Sequence, residues 1–339
     1  RRIGTEIFEF GKVRFRTGEE IVCVRWAMND SNIIEFTKPL EPYQHDMLQA
    51  ASLVLSAFDA SSRIHADNFV YHYTSADGLM GILNSRSLWF TDYNSLNDES
   101  EGQYIFSLAR QILSTSSYPE EYKNNVRWVL FDNEGYRLAP IKSNVEKYFI
   151  CSFSCNKDSM PLWNYYTKNI NTTGYNLEFN TDKLKNLDKV LRDKKIPASL
   201  QITRVLYNEE RQHLLVKQIL DYFLPVWTKY ISYRHEILMT LLFSLEINRF
   251  KIKHPAFMAE NEVRLFINIK EESFKELVKE KNKLLKIRNI NGIFTAYFDI
   301  PFDIKDIISL TVSPTIKNNY AISSMRLLLD SYGLVDTTI

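Results

Sequence analysis

The alternation of apolar and polar residues along the chain predicts short strands interspersed with helices. Short stretches rich in apolar and aromatic residues, with a period of two over 7–10 and 13–16, predict strands at 7–10, 13–16, 21–26, 69–75, 88–91, 148–154, 175–179, 200–207, 262–269, 294–300 and 307–312. Apolar residues at helical spacing predict helices over 43–59, 76–83, 101–114, 119–131, 181–193, 209–249, 272–284 and 321–332. Because these elements follow one another without regular βαβ units, the pattern predicts an α+β fold.

Changes along this pattern predict an N-terminal extension and one larger domain. The first two stretches flank Gly11-Lys12 and read as a β-hairpin, which a third strand and a helix follow. A polar linker over 61–67 then separates the extension, 1–66, from the domain, 67–339. Within the domain, the long helical stretch at about 209–250 is expected to be an insertion.

Glycine is scarce, with 10 among 339 residues, and no two glycines stand in a G-x-G arrangement. Rossmann fingerprints and P-loops both require glycines, because bare backbone must approach the phosphates closely. A nucleophile elbow likewise requires a G-x-S-x-G sequence. The sequence therefore excludes these nucleotide-binding loops and this type of hydrolase.

The net charge and the cysteine content indicate which partners and which cellular compartment to expect. A formal net charge of +1 argues against a protein that coats DNA through bulk charge, although it leaves room for a local basic groove. Basic stretches at 183–195, 249–253 and 275–288 are either solvated faces or a track for nucleic acid. Three cysteines favour a reducing compartment, and no apolar run approaches the ~20 residues of a membrane span. We expect a cytoplasmic protein without a membrane partner.

Histidine and cysteine spacing predicts no metal site. None of the six histidines stands three or four residues from another, as zinc-binding helices require. Cys151 and Cys155 lack C-x-x-C spacing, and Cys151 lies in an apolar strand where a thiol usually packs as a small hydrophobic group.

Polar residues instead recur at i, i+2 spacing on predicted strands, so that each pair shares one face. The pairs are His72 and Thr74, Ser152 and Ser154, and Glu260 and Glu262. Each pair alone has an ordinary structural explanation: a packed histidine, turn serines, or solvated glutamates with Arg264 as a cross-face partner. Together they indicate a polar cleft on adjacent strands.

The order of these residues resembles a large bacterial family long catalogued as of unknown function, over about residues 69–330. Its pattern opens with YHYTS, IL, LW.T and LND..E elements, and later continues with SFS, LWNYY and ExExR elements. In this chain they are Tyr71-His72-Tyr73-Thr74-Ser75, Ile82-Leu83, Leu88-Trp89-Phe90-Thr91, Leu96-Asn97-Asp98 with Glu101, Ser152-Phe153-Ser154, Leu162-Trp163-Asn164-Tyr165-Tyr166 and Glu260-Asn261-Glu262-Val263-Arg264. That family looks like a relative of the ADP-ribosyltransferases.

The resemblance implies a core of two small sheets that holds NAD in a cleft without a glycine-rich loop. It implies catalytic roles for Glu262 and Glu260, with the division between the two left open. The residues implied to contact NAD, as substrate and without a metal, are His72, Thr74, Tyr71, Ser152, Ser154, Trp163, Tyr165, Tyr166, Asn97, Asp98 and Arg264.

Several of these roles keep an alternative. The resemblance implies that Tyr165 or Tyr166 stacks on nicotinamide. The alternative is that these aromatic residues pack in the core, as such residues more often do. Asn97 and Asp98 either line the cleft or cap a turn before the next helix. Arg264, with Arg86 as the second candidate, is expected to contact the pyrophosphate, because a chain with few glycines must bind phosphates mainly through side chains.

The implied function is transfer of ADP-ribose to a macromolecule, with RNA or DNA ahead of protein as the acceptor. By resemblance the protein would be the toxic effector of a toxin–antitoxin or anti-phage defence system, with an antitoxin or chaperone as a protein partner. Two alternatives remain open: a NAD glycohydrolase that needs no macromolecular acceptor, and a non-catalytic nucleic-acid-binding or sensor module on a degenerate transferase fold.

Overall fold

The computed structural model describes residues 7–14, 20–27, 40–64, 68–95, 101–131, 146–166, 174–290, 292–314, 316 and 320–339. Asn97 and Asp98 therefore lie outside the described residues. Within the described part of the chain, no helix is both long and apolar enough to span a membrane.

Eleven strands are described. They are β1 (Ile7–Arg14), β2 (Glu20–Ala27), β3 (Phe69–Ser75), β4 (Ser87–Asp92), β5 (Glu146–Ser154), β6 (Gly174–Asn180), β7 (Ala198–Arg204), β8 (Glu262–Lys270), β9 (Leu285–Ile290), β10 (Ile293–Pro301) and β11 (Ile307–Val312).

Eleven α-helices are described beside them. They are α1 (Pro42–Ser62), α2 (Ala76–Ser85), α3 (Tyr104–Thr115), α4 (Glu120–Leu130), α5 (Met160–Tyr166), α6 (Thr181–Lys185), α7 (Leu187–Asp193), α8 (Glu209–Lys229), α9 (Arg234–Asn248), α10 (Glu271–Lys279) and α11 (Ala321–Ser331). The mixture of helices with an antiparallel sheet is an α+β fold, as the sequence pattern predicts.

The described residues form two compact units, each made of several chain segments. The first draws on Arg1–Ser62, Asp98–Val145 and Leu206–Pro255, and the second on Arg63–Asn97, Glu146–Val205 and Ala256–Ile339. The sequence pattern suggested a single boundary near residue 66 with an insertion at about 209–250. In the structure, that helical stretch clusters with the N-terminal segment.

The first unit is mainly helical. Helix α8 packs against α1, α3 and α9, and α9 also packs against α4. Their apolar faces form one core that includes Phe58, Phe106, Tyr122 and Phe223. The predicted hairpin turn at Gly11-Lys12 is wrong, because β1 runs through Gly11, which pairs with Cys23 of β2.

The second unit is built on an antiparallel sheet of nine strands. Along one path the strand order is β11-β6-β3-β5-β4-β10-β9, while β8 pairs with β5 and β7 pairs with β8. Helices α2, α6, α7, α10 and α11 contribute to an apolar core whose fully buried aromatic members include Phe90, Phe149, Phe179 and Phe298. This unit contains the polar strand residues that the sequence analysis singled out.

Strand β5 is the branch point of this sheet. Along one edge it pairs with β8 over its whole length. Along the other edge, Ser154 pairs with Tyr71 of β3, whereas Ile150 pairs with Thr91 of β4. Because β3 and β4 meet different parts of the same edge, the sheet forks between them and leaves an opening at Ser152.

The sequence pattern misses one strand of this unit. It predicts a single helix over 272–284, but α10 ends at Lys279 and the chain then enters β9, which pairs with β10. Arg288 lies in this strand, beyond the end of the predicted helix.

Candidate active site

A cavity of about 570 Å³ lies at the fork of the sheet. Its wall is formed by parts of β3, β4, β5, β9, α2 and α5 and by the residues around the start of β8. The predicted site residues that line it are His72, Thr74, Tyr71, Ser152, Ser154, Glu260 and Glu262. The fold therefore brings seven residues from three distant stretches of sequence into one cavity.

His72 occupies the opening between the two branches. Its Nδ1 lies 2.9 Å from the carbonyl oxygen of Ser152, and because a carbonyl oxygen only accepts, Nδ1 must donate. Burial lowers the pKa of His72, and the hydrogen bond with Ser152 opposes this shift. A neutral ring that donates from Nδ1 keeps Nε2 as an acceptor, which suits contact with a ribose hydroxyl or an amide N–H.

Glu262 is buried at the start of β8, and two donors hold its carboxylate. The hydroxyl of Ser152 donates to Oε1 at 2.7 Å, and Nη2 of Arg264 donates to Oε2 at 2.7 Å. Arg264 is itself almost fully buried. Since each carboxylate oxygen has more than one lone pair, these contacts orient the group and still allow it to accept from a ligand.

The position of Arg264 does not match the predicted contact with the pyrophosphate. A contact with the pyrophosphate would require its guanidinium in the cavity wall, but it lies within the core beneath Glu262. Ser152 and Arg264 pair across β5 and β8, which explains why both side chains reach the same carboxylate. Arg264 positions Glu262 and supplies the charge that compensates it.

Glu260 lines the cavity before β8 begins, and the backbone between the two glutamates bends sharply. Asn261 has φ +43°, in the left-handed region that asparagine tolerates better than most residues. Its side chain accepts from Arg204 at 3.0 Å and donates to Asn156 at 2.9 Å. The two carboxylates reach one cavity because of this bend, and not through strand periodicity alone.

Thr74 and Gly78 form a tight contact at the cavity wall. Ser75 caps α2 by accepting from the N–H of Gly78. The hydroxyl of Thr74 lies so close to Gly78 that a Cβ at that position would collide with it. A residue without a side chain is therefore required here for the Thr74 hydroxyl to keep its place.

The hydroxyl of Ser154 is used within the fold. It donates to the carbonyl of Glu260 at 2.6 Å and accepts from the N–H of Asn156 at 3.0 Å. This side chain therefore ties the end of β5 to the segment that carries Glu260. Tyr71 lies nearby, and burial and then the charge of Glu178 raise its pKa.

Of the predicted aromatic residues, Tyr71 lines the cavity, whereas Trp163 and Tyr165 do not. Trp163 is buried, donates from its indole N–H to Asp158 at 2.6 Å and packs edge-on against Tyr73. Tyr165 is 55% exposed on α5. The side chain of Tyr166 and the whole of Asn97 and Asp98 lie outside the described structure. The aromatic residues that do line the cavity are Tyr71, Tyr73, Trp89 and Phe153.

Several cavity residues, among them Arg288, Thr91 and Trp89, are not predicted as site residues from the sequence, although Trp89 and Thr91 belong to its LW.T element. A hairpin signal was present, because alternating residues 285–290 precede Asn291-Gly292, and an Asn-Gly pair between such runs is the strongest short-range signal for a hairpin. That signal predicts β9, although it does not predict that Arg288 reaches the cavity.

The chemistry of the site is that of carboxylates, hydroxyls, an imidazole and a guanidinium. Among the described residues, no three His, Cys, Asp or Glu side chains are grouped so as to hold a metal ion. Burial raises the pKa of the Cys151 thiol to about 12. This cysteine lines the cavity, but at neutral pH it lacks the thiolate that a nucleophile requires.

Comparison with known proteins gives one match. A model of a family described as a protein of unknown function (DUF2971) matches residues 162–265, which is under a third of the chain. The matched stretch contains Glu260, Glu262 and Arg264, while His72 and Ser152 lie before it. No curated protein and no solved structure matches the chain.

Proposed function

We propose that this protein is an ADP-ribosyltransferase that uses NAD as its substrate and transfers ADP-ribose to a macromolecule. The observation that carries the proposal is the Glu262 carboxylate, oriented by Ser152 and Arg264 in a cavity shared with His72. The cavity lies within one forked antiparallel sheet of nine strands, whereas the family resemblance implies a core of two small sheets, so the proposal rests on the site residues.

The reaction needs a negative charge beside the nicotinamide-bearing ribose. As the bond from the ribose C1′ to the nicotinamide nitrogen breaks, its electron pair leaves with neutral nicotinamide, and positive charge develops on the ribose, as in glycoside hydrolysis. A carboxylate in the position of Glu262 stabilises this charge more in the transition state than in the ground state.

The second carboxylate suits the acceptor. An acceptor O–H or N–H attacks C1′, and its proton passes to a general base. Glu260 is only partly buried and lies at the edge of the same cavity, where an incoming acceptor can reach it. We assign the charge-stabilising role to Glu262 and the proton-accepting role to Glu260.

The contacts to NAD divide among the other cavity residues. His72 accepts from a hydroxyl or amide through Nε2, and Thr74 presents its hydroxyl beside the start of α2. Of the aromatic side chains in the lining, Trp89 is the most accessible at 39% exposed. It is therefore better placed for stacking on a ring than the buried Trp163.

The test is transfer of label from NAD that is radiolabelled on the adenylate phosphate. The chain is incubated with RNA, single-stranded DNA or a cell lysate, and the products are treated with nuclease or protease to classify the acceptor. We expect the unmodified chain to label an acceptor and Glu262→Gln to reduce labelling by at least about a hundredfold. Glu272→Gln, an exposed glutamate on α10, is the matched control.

Three results would separate this proposal from its alternatives. Undiminished labelling by Glu262→Gln, or no consumption of NAD with any acceptor, contradicts the proposal. Free ADP-ribose formed equally well without an acceptor identifies a NAD glycohydrolase. Binding of nucleic acid without NAD turnover indicates a non-catalytic module.

A further inference from the structure

Arg288 is a cavity residue for which the fold provides no acidic partner among the described residues. It extends from β9 into the lining, and its Nη2 donates to the hydroxyl of Thr91 at 2.8 Å. Its guanidinium carbon lies 4.8 Å from the ring centroid of Trp89 and 5.4 Å from that of Tyr297. The side chain is therefore fixed by two rings and one neutral hydroxyl.

This arrangement leaves the cation incompletely satisfied. The Nε atom of Arg288 is buried and has no hydrogen-bond partner among the described residues. Burial lowers the pKa of Arg288, which reflects the cost of holding a charge away from water. A buried donor without an acceptor and a charge without a counterion both raise the free energy of the empty site.

The two arginines of the site differ in charge compensation. Arg264 lies in the core and is compensated by Glu262, whereas Arg288 lies in the cavity wall and is compensated by no described carboxylate. An anion that enters the cavity can pair with Arg288 without displacing an existing ion pair. A guanidinium presents several N–H groups in one plane, a geometry that matches phosphate oxygens.

Register along β5 separates this group from the carboxylates. Glu262 pairs with Ser154 and its carboxylate accepts from the Ser152 hydroxyl, whereas Thr91 pairs with Ile150, so the carboxylate and the Thr91 end of the site meet β5 at different residues. A ligand with a neutral sugar at one end and an anionic group further along fits this polarity.

We infer that the end of the cavity formed by Arg288, Thr91 and Trp89 is a phosphate-binding subsite, which takes a phosphate group of a nucleotide ligand. The inference deepens the proposed function, on which its biological meaning rests, since it places the diphosphate of NAD at Arg288 and not at Arg264. Trp89 both orients the guanidinium and offers its exposed part to the ligand.

The inference is tested by equilibrium binding of ADP and of adenosine, which differ by the diphosphate, to the full chain. Isothermal titration calorimetry should give an affinity for ADP at least about tenfold higher than for adenosine, because a charge-assisted contact is gained. Arg288→Gln should abolish most of that difference and leave adenosine binding unchanged. Arg288→Lys, which keeps the charge but loses the planar fork, should retain only part of it.

Matched controls keep this test independent of both folding and catalysis. Lys283→Gln removes an exposed cation before β9 and should leave ADP binding unchanged. Thr91→Val keeps shape and charge, removes only the hydroxyl that fixes Nη2, and should weaken ADP binding in a chain that stays folded. NAD turnover is measured on the same chains, so that loss of transfer and loss of the subsite are recorded separately.

Two outcomes overturn the inference. One is equal affinity for ADP and adenosine, or no binding of either, in the unmodified chain. The other is an Arg288→Gln chain with an unchanged melting curve that still prefers ADP. If Arg288→Gln does not fold, undiminished ADP binding by Thr91→Val, with no decrease at higher salt, counts against the subsite in the same way.

Discussion

The imidazole of His72 donates from Nδ1 to the carbonyl oxygen of Ser152 at 2.9 Å. This hydrogen bond lies between the part of β5 that pairs with β3 and the part that pairs with β4. The same residue, Ser152, donates its hydroxyl to Glu262. One serine therefore connects the proposed NAD-contacting histidine to the proposed catalytic carboxylate, through its main chain on one side and its side chain on the other.

His72 should make the stability of the protein depend on pH. Burial lowers its pKa in the folded state, so the unfolded chain binds a proton more readily, beginning near the ordinary value of ~6.5. The stability that the neutral ring contributes is present above about pH 6.5 and is lost as the pH falls towards the lowered pKa. Urea unfolding at several pH values measures this loss.

The control for this prediction is His72→Asn. An asparagine amide can donate to the Ser152 carbonyl in place of Nδ1, and it does not titrate. We expect the unfolding free energy of His72→Asn to vary less between pH 7 and pH 5 than that of the unmodified chain. An equal variation in both would mean that other groups account for the pH dependence.

The two glycines of α2 should respond in opposite ways to alanine. A Cβ at Gly78 collides with the Thr74 hydroxyl, whereas a Cβ at Gly81 meets no atom within 4 Å. Gly81→Ala should therefore stabilise the helix by about 0.5–1 kcal/mol and leave activity unchanged. Gly78→Ala should displace the Thr74 hydroxyl and reduce NAD turnover about five- to tenfold. Thermal melts and NAD consumption, measured on both variants, check the pair.

Removal of only one partner of the Arg264–Glu262 ion pair should lower the stability of the folded protein. Both side chains are buried, so Arg264→Met leaves a carboxylate without its cation and should destabilise the fold by about 3–5 kcal/mol. The double variant Arg264→Met/Glu262→Leu removes both charges and should recover most of that stability with no recovery of activity. A double variant as unstable as Arg264→Met alone would contradict this account.

Cys151 should be unreactive until the protein unfolds. Its pKa is raised to about 12 by burial, while Cys155 is only partly buried, although burial raises its pKa too. With iodoacetamide at pH 8, peptide mapping should show Cys155 alkylated before Cys151, and guanidinium chloride should remove the difference. Faster modification of Cys151 in the folded chain would be the opposite result.

In the helical unit, Gln212 should be a stability determinant. It is fully buried, donates to the carbonyls of Leu206 and Lys253 at 2.6 and 2.7 Å, and accepts from the hydroxyl of Tyr104. Gln212→Leu fills a similar volume but removes these partners, and should cost about 1–3 kcal/mol. Tyr104→Phe removes only one hydrogen bond and should cost less; chemical denaturation compares the two.

Local patterns determine many of the elements correctly. Strand-like runs of apolar residues identify β3, β5, β8 and β11, of which β8 is buried along nearly its whole length. Alternation places His72 with Thr74 and Ser152 with Ser154 on common faces. Each pair is two residues apart in sequence, so the geometry of a single strand is enough to place both side chains on one face.

Other features depend on contacts between elements. The sequence pattern predicts a helix over 272–284 and no strand at 285–290, where pairing with strand β10 forms β9. Trp163 was expected beside a ligand, but the packing of α5 against Tyr73 and the bond to Asp158 place it in the core.

The amino-acid sequence by itself determined the α+β class, the scarcity of glycine that excludes phosphate-cradling loops, and the polar pairs on three strands. Only the tertiary structure decided that β5 forks the sheet, that Arg264 is buried beneath Glu262, and that Arg288 lines the cavity. The physical reason is that side-chain alternation is set within one strand, whereas charge compensation and cavity shape depend on which strands become neighbours.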